Sequence, residues 1–404
     1  MRAAASPTPA IEVTTVDGAA GFAALAEEWE ALQRDAVLTS VFESFDWQYQ
    51  WWTHYGRGQA LRLLVARAGG ALVGLLPVYI QTQAMLKLPV RLLRFVGSGG
   101  DTFPDDLGPI LAKGREAEVA RALAEAVVAL GGWDVLFLQD MNPRCPFTAE
   151  LEAAVRRGRL VMQTGRNERI AYVDLPATWD AWLASLHRDR RYRIKNIRKK
   201  LLAAHKDARF FVWDDPATLD AGVDRLVFLH RKRWSQAGLS HAFASPEYVG
   251  FHRAVMKACL TKNRLRLYCL EVGGQVIAMF YFYKFRDAVY LMQSGFDPDF
   301  GNVKPGQVLL GYIVEHAISE KHKVMDFLRG DHRYKDELAT GERETVFVTA
   351  FRWRPGALVY RARREVLPVV KQRLVKALAR VRRKPGADAG SGAGATDEKE
   401  GSSD

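Results

Sequence analysis

One repetition limits the folds open to this chain more than anything else in it. LRLLVARAGGALVG (61–74) and LRLYCLEVGGQVIA (265–278) share a layout at a constant offset of 204 residues. Leu61, Leu63, Gly69, Gly70 and Val73 fall on Leu265, Leu267, Gly273, Gly274 and Ile277. In each copy two apolar runs flank a Gly-Gly pair, the mark of two antiparallel strands joined by a two-residue turn. Each copy then continues through further strand-like sequence into a helical pattern, 115–130 or 306–321. Each ends in a strand, WDVLFLQ at 133–139 or VMDFL at 324–328. Order and spacing together predict two copies of one α/β unit.

The rest of the chain braces these copies. A strand at 11–16 and a helix near 19–35 precede the first, and TSVFESFDWQYQWWTHYG is an aromatic-rich loop and helix. ERIAYVDL (168–175) is a strand entering the second copy, followed by helical sequence, a short strand at 210–213 and a helix ended at Gly238. SPEYVGFHRAVMKACLTK opens with a serine cap and a proline in the first turn, a good helix start. The expected units are 11–165, 166–353, a basic amphipathic helix at 354–384 and a disordered tail at 385–404. Each unit is a mixed, largely antiparallel sheet flanked by helices, an α/β (α+β) architecture.

Composition sets the wider limits. No apolar run approaches the roughly 18 residues of a membrane span, and the first ten residues show no secretory apolar core. Cys145, Cys259 and Cys269 have neither metal-ligand nor disulfide spacing, so no metal is expected and a reducing, cytoplasmic setting is. The net charge of +12 sits in two segments. Arg188–Lys206 carries nine Lys/Arg and one acid, and Arg354–Lys384 eleven and one. The first suits an anionic acceptor, with RNA as the competing ligand, although no aromatic RNA-binding motif accompanies it. The second suits a peripheral contact of 356–384 with an anionic membrane, at its inner face, or a helix docked on the protein itself.

Two stretches carry chemistry. In GFDPDFGNVKPGQ a loop between strands runs into a helix start, where free amides and the helix dipole attract anions. Lys304 adds a charge, Gly306 lets a ligand approach, and Gln307 and Val308 are expected to donate from the first turn to a diphosphate. In VMDFLRGDHRYKDE, Asp326 is a carboxylate inside an apolar strand and needs a partner or a raised pKa. Asp331 follows among charged neighbours. Either is a solvated or ion-paired structural acid, or a group that orients substrate and takes its proton.

HRDRRYRIKNIRKKL, LHRKRW (229–234), VKPGQVLLGYIVEHAI and DFLRGDHRYKDEL together resemble a known family. They are similar to the two-domain GNAT-type acyltransferases of the CelD/BcsL-like group, linked to cellulose and other exopolysaccharide synthesis. That group is related to the Fem transferases of peptidoglycan. The resemblance covers roughly residues 10–350. It implies two tandem GNAT-like domains, the active site in or near the second, and acetyl-CoA or another acyl-CoA as donor on Lys304, Gly306, Gln307 and Val308. It implies a catalytic set of Asp326, Asp331 and Lys335, the lysine stabilising a substrate phosphate or developing charge. Arg190, Arg191, Asp105, Asp106, His230 and Trp234 complete it as substrate-binding residues, and the acceptor is a sugar or polysaccharide or glycolipid precursor. Two other readings stay open: a Fem-like aminoacyltransferase using aminoacyl-tRNA, and a non-catalytic accessory of polysaccharide synthesis.

Overall fold

The computed structural model describes residues 9–236, 242–330 and 333–366. The chain makes two passes through the same sequence of elements. The first pass starts with β1 (Ile11–Val16), α1 (Ala19–Ala24), α2 (Ala26–Asp35) and α3 (Phe45–Tyr55). The antiparallel strands β2 (Ala60–Ala68), β3 (Ala71–Met85) and β4 (Leu88–Phe95) follow, with the two-residue β5 (Ile110–Leu111) beside β3. Helix α4 (Glu116–Ala129) then leads to β6 (Val135–Met141), parallel to β4, and α5 (Pro146–Arg157) leads to β7 (Val161–Asp174).

The second pass opens with α6 (Trp179–Ser185) and α7 (Arg188–Ala204), then β8 (Arg209–Val212), α8 (Leu219–Gln236) and α9 (Pro246–Thr261). Strands β9 (Leu265–Val272), β10 (Gln275–Phe285) and β11 (Ala288–Phe296) form its antiparallel set. Helix α10 (Pro305–Ser319) leads to β12 (Val324–Asp326), parallel to β11, and α11 (Arg333–Leu338) to β13 (Gly341–Phe351). Helix α12 (Pro355–Arg361) and one wider turn, Ala362–Val366, close the described chain. Residues 367–384 of the expected basic helix lie outside the described residues, as does Gly238.

Both Gly-Gly turns are where the repeat placed them. Gly69 and Gly70 have φ of 57° and 84°, and Gly273 and Gly274 of 59° and 74°. Only a residue without a Cβ takes two successive positive φ values at little cost, and this turn type matches the strand twist.

The last strand of each pass crosses over. β13 pairs with β6 of the first pass, β7 pairs with β12 of the second, and β7 and β13 pair antiparallel with each other from Phe351↔Val161 to Gly341↔Tyr172. The result is one sheet of thirteen strands instead of two sheets end to end. The boundary expected after residue 165 falls inside β7. Exchange covers the open edges that β6 and β12 would otherwise present, which a sheet protein must hide.

Alternation along the strands divides the second pass between two cores. Tyr281 and Tyr283 of β10 face one apolar cluster, with α8, α9 and the helices of the first pass. Phe280 and Phe282 face the other, with α6, α7 and α10. The first cluster is continuous across both passes. Trp47 on α3 meets Phe251 on α9 edge to face, 4.8 Å between centroids.

Candidate active site

β11 and β12 pair only from Ala288–Tyr290 to Val324–Asp326. Beyond that, β11 runs on to Phe296 while the other strand stops, and Leu328 turns the chain away with φ of 54°. The strands therefore splay, and a cavity of about 520 Å³ opens in the gap. Its walls are Leu291–Ser294 of β11, Phe327–Arg329, three side chains of α8, and Lys335. Trp47, Phe103, Tyr248 and His252 close it with aromatic surface.

His230, Arg233 and Trp234 all line this cavity, and their i, i+3, i+4 spacing puts them on one face of α8. His230 Nδ1 lies 2.9 Å from the Ser294 carbonyl, which can only accept. The ring therefore carries a proton on Nδ1, and in its neutral form the lone pair is on Nε2. Arg233 donates to Ser294 Oγ at 3.1 Å and stacks on Trp234 and Phe296. Lys335 is 5% exposed, and its ammonium donates to the carbonyls of Leu328 at 3.0 Å and Arg329 at 2.7 Å. It thus ties α11 to the loop leaving β12. Gln293 Nε2 donates to Tyr248 Oη at 3.0 Å. Burial pushes His252 down to about 3, so that ring is a neutral wall. Of the residues expected from sequence, His230, Trp234 and Lys335 share this cavity. Sequence reasoning missed Arg233 and Tyr248, although the helical spacing from His230 would have picked out Arg233.

The start of α10 lies against the far end of β11. A Cβ on Gly306 would meet the Phe296 ring at 3.2 Å. Lys304 takes a left-handed conformation, φ 51° and ψ 56°, and makes no side-chain cap. The donors differ from the expectation. The amides of Gln307 and Val308 both point back to the Lys304 carbonyl, at 3.0 and 3.1 Å, and Pro305 has no N–H. The first turn closes on itself, so Gln307 and Val308 are not free donors, and attraction for an anion rests on Gly306, Lys304 and the helix dipole. The turn holds no acidic residue.

The two arginines of α7 part company. Arg190 borders a small cleft with Gln307 and Glu337, 4.0 Å from the Glu337 carboxylate. Arg191 donates to the carbonyls of Ala184 and Leu186, capping the end of α6 instead of facing a ligand.

The aspartates gather elsewhere, at the seam between the passes. Asp326 accepts from Arg343 Nε at 2.9 Å and from the Leu328 amide at 2.7 Å. Arg343, on β13, also donates to Asp106 at 2.7 Å. Asp105, 0% exposed, accepts from the Arg329 amide at 2.9 Å and its Nε at 2.8 Å, and Arg329 reaches Asp140 at 2.5 Å. Burial pushes Asp105 up to about 7 and Asp106 up to about 6, while Arg329 and Arg343 hold them from rising further. Burial likewise pushes Glu43 up to about 8, against the Ser40 amide that favours its charge. Asp106, Asp326, Arg343 and Glu43 line another cavity, about 640 Å³, whose walls come from both passes. Arg329, Arg343 and Asp140 were not anticipated; each pairs with a residue distant in sequence, and no local pattern marks them. Asp331 lies outside the described residues.

Among the described residues there is no group of three or more His, Cys, Asp or Glu placed to hold a metal ion. No helix among them is long and apolar enough to cross a membrane.

Residues 188–336 match the family described as Acetyltransferase (GNAT) domain. No curated protein matches the chain. The fold is similar to the crystal structure of FemX, with a TM-score of 0.58 and 10% identity over 83% of this chain and 96% of that one. It is also similar to the C-terminal domain (DUF2156) of a putative lysylphosphatidylglycerol synthetase from Agrobacterium fabrum. There the TM-score is 0.50 and the identity 9%, over 84% of this chain and 95% of that one. A tandem GNAT protein from the clavulanic acid biosynthesis pathway aligns with a TM-score of 0.44 and 14% identity, over 84% and 98%. The second pass thus carries an acyltransferase domain of the GNAT superfamily.

Proposed function

We propose that the protein moves an acyl group from acyl-CoA, acetyl-CoA foremost, to an amine or hydroxyl of an anionic sugar or glycolipid precursor, as in the exopolysaccharide-linked CelD/BcsL-like group. The observation that carries this reading is the splay of β11 from β12 into a cavity walled by Arg233, Arg329, Lys335 and aromatic rings. Where β12 stops, the edge of β11 loses its parallel partner. Its backbone groups can then pair with an extended pantetheine arm and polarise a thioester carbonyl. The diphosphate would lie toward Lys304 and Gly306, at the positive end of α10. The aromatic walls suit a sugar face, and the three cations suit a phosphate or carboxylate on the acceptor.

The acceptor attacks the thioester directly, and the site gains its rate from position and charge. His230 Nε2 is placed to take the proton of the attacking group. Lys335 stabilises the negative charge that develops beside it. A proton role for Asp326 would require its pair with Arg343 to open.

The likeness to FemX favours one second reading, aminoacyl transfer from aminoacyl-tRNA, with the cations of α7 on the RNA. Calorimetry with CoA, acetyl-CoA and bulk tRNA separates the two. Binding of CoA that weakens in Lys304→Glu supports acyl-CoA; binding of tRNA alone overturns it.

A further inference from the structure

Nothing in the acyl-transfer reading uses the end of the sheet farthest along β3 and β4. The turn between these strands is Leu86–Lys87, and both residues have positive φ, 50° and 64°. Leu86 is 73% exposed and Leu88 40%. Helix α12 packs beside this turn: Met85 joins Val90, Ala357 and Tyr360 in a small apolar cluster, and Gly356 lies against the Pro89 carbonyl. Trp353, two residues before α12, is 71% exposed, and Leu358 on α12 is 50% exposed. Four large apolar side chains, two at the hairpin tip and two on or just before the helix packed beside it, are thus exposed.

The charges around them have one sign. Lys87 sits at the tip, and Arg354, Arg361, Arg363 and Arg364 follow on and after α12. Residues 71–100 contain no acid. The buried Asp134 carboxylate is held by Arg91 at 2.8 Å and faces Arg354 at 3.6 Å. Among the described residues no carboxylate lies within ion-pair distance of Lys87, Arg363 or Arg364. Glu365 is the single acid in sequence from Arg352 to Lys384. Residues 367–384 add seven Lys/Arg and no acid, so the chain that leaves this face repeats its charge and is a poor cover for it.

We infer that this face, the β3–β4 tip together with Trp353 and α12, seats the protein on an anionic lipid bilayer. Leucine and tryptophan enter the interfacial layer while the cations meet headgroup phosphates. The contact is built on the folded sheet and not only on the basic segment after it, and it stands apart from the acyl-transfer reading.

Flotation of the full chain with phosphatidylcholine vesicles, with and without phosphatidylglycerol, tests this. Binding is expected only with the anionic lipid, and weaker in high salt. Lys87→Gln should lower the partition about five-fold, from the roughly 1 kcal/mol that one basic residue contributes near such a surface. Leu86→Ser with Leu88→Ser, and separately Trp353→Ala, should lower it while leaving the melting temperature and CoA binding unchanged, since these side chains are exposed. Equal binding to both vesicle types, or hairpin and Trp353 variants that float like the parent, would overturn the inference. So would a dimer in sedimentation velocity that the leucine variant dissolves, since the face would then be covered by a second copy.

Discussion

The molecule holds two clefts with opposite chemistry. The second opens where β11 runs past the end of β12, and the first lies at the seam, lined by residues of both passes. The second cavity carries Arg233, Arg329 and Lys335 against Asp101, whose carboxylate is taken by Tyr55. The first carries Glu43, Asp106 and Asp326 around Arg343. The helices that follow differ in the same sense. Helix α10 begins Lys304-Pro305-Gly306 with no acid in its first turn, whereas α4 begins with Glu116 and Glu118, the latter paired to Arg115 at 2.9 Å. A carboxylate at a helix start occupies the place that a diphosphate would take. The order of elements thus recurs in both passes, the proposed donor end lies in the second alone, and the acids of the first cleft serve the seam.

That contrast can be broken in several places. Asp326→Asn leaves Arg343 with one carboxylate fewer in a buried network and should cost about 3 kcal/mol of stability, read as a lower denaturant midpoint. A variant as stable as the parent would mean that the seam does not depend on that pair. Lys335→Met should lower turnover about a hundred-fold, the scale of one lost electrostatic contact at a developing charge, with CoA binding retained. An unchanged rate, followed by release of free CoA, would remove the lysine from the site.

The acids of the first cleft also make a pH signature. Burial raises Glu43 above the unfolded carboxylate range, so the folded state binds the extra proton. Its contribution is fully present below about pH 4.5 and falls as pH rises toward 8, by at most about 1.4 kcal/mol per pH unit. Glu43→Gln should flatten that decline in unfolding curves taken from pH 5 to 8; a variant with the parent's slope would show that the group is not protonated in the fold. The smallest effect sharpens the comparison itself. Lys304→Glu should weaken acetyl-CoA about ten-fold, near the upper range for a charge at a helix end, while Glu116→Lys with Glu118→Lys leaves affinity unchanged.

Much of this was legible in sequence, because it rests on local pattern. The Gly-Gly turns, the strand and helix order and the Ser245 cap of α9, which accepts from the Tyr248 amide, all have short-range signals. The exchange of β7 and β13 has none. Both strands alternate as any strand does, and only the open edges of β6 and β12 decide where they pair. The site divided along the same line. His230 and Trp234 share a helix face that spacing reveals. The grouping of Asp105, Asp106, Asp140 and Asp326 around Arg329 and Arg343 depends on pairs 189 to 237 residues apart, except for Asp326 with Arg343. At α10 the helix start was legible but the free donors were not, since the left-handed turn at Lys304 aims its carbonyl at the Gln307 and Val308 amides.

Amide hydrogen exchange with and without acetyl-CoA puts the difference between the passes to the test in one experiment. Slower exchange is predicted along β11 and the first turns of α10, residues 291–310, with residues 92–120 of the first pass unchanged. Protection of 92–120 instead, or of both stretches alike, would contradict the assignment of the donor to the second cleft.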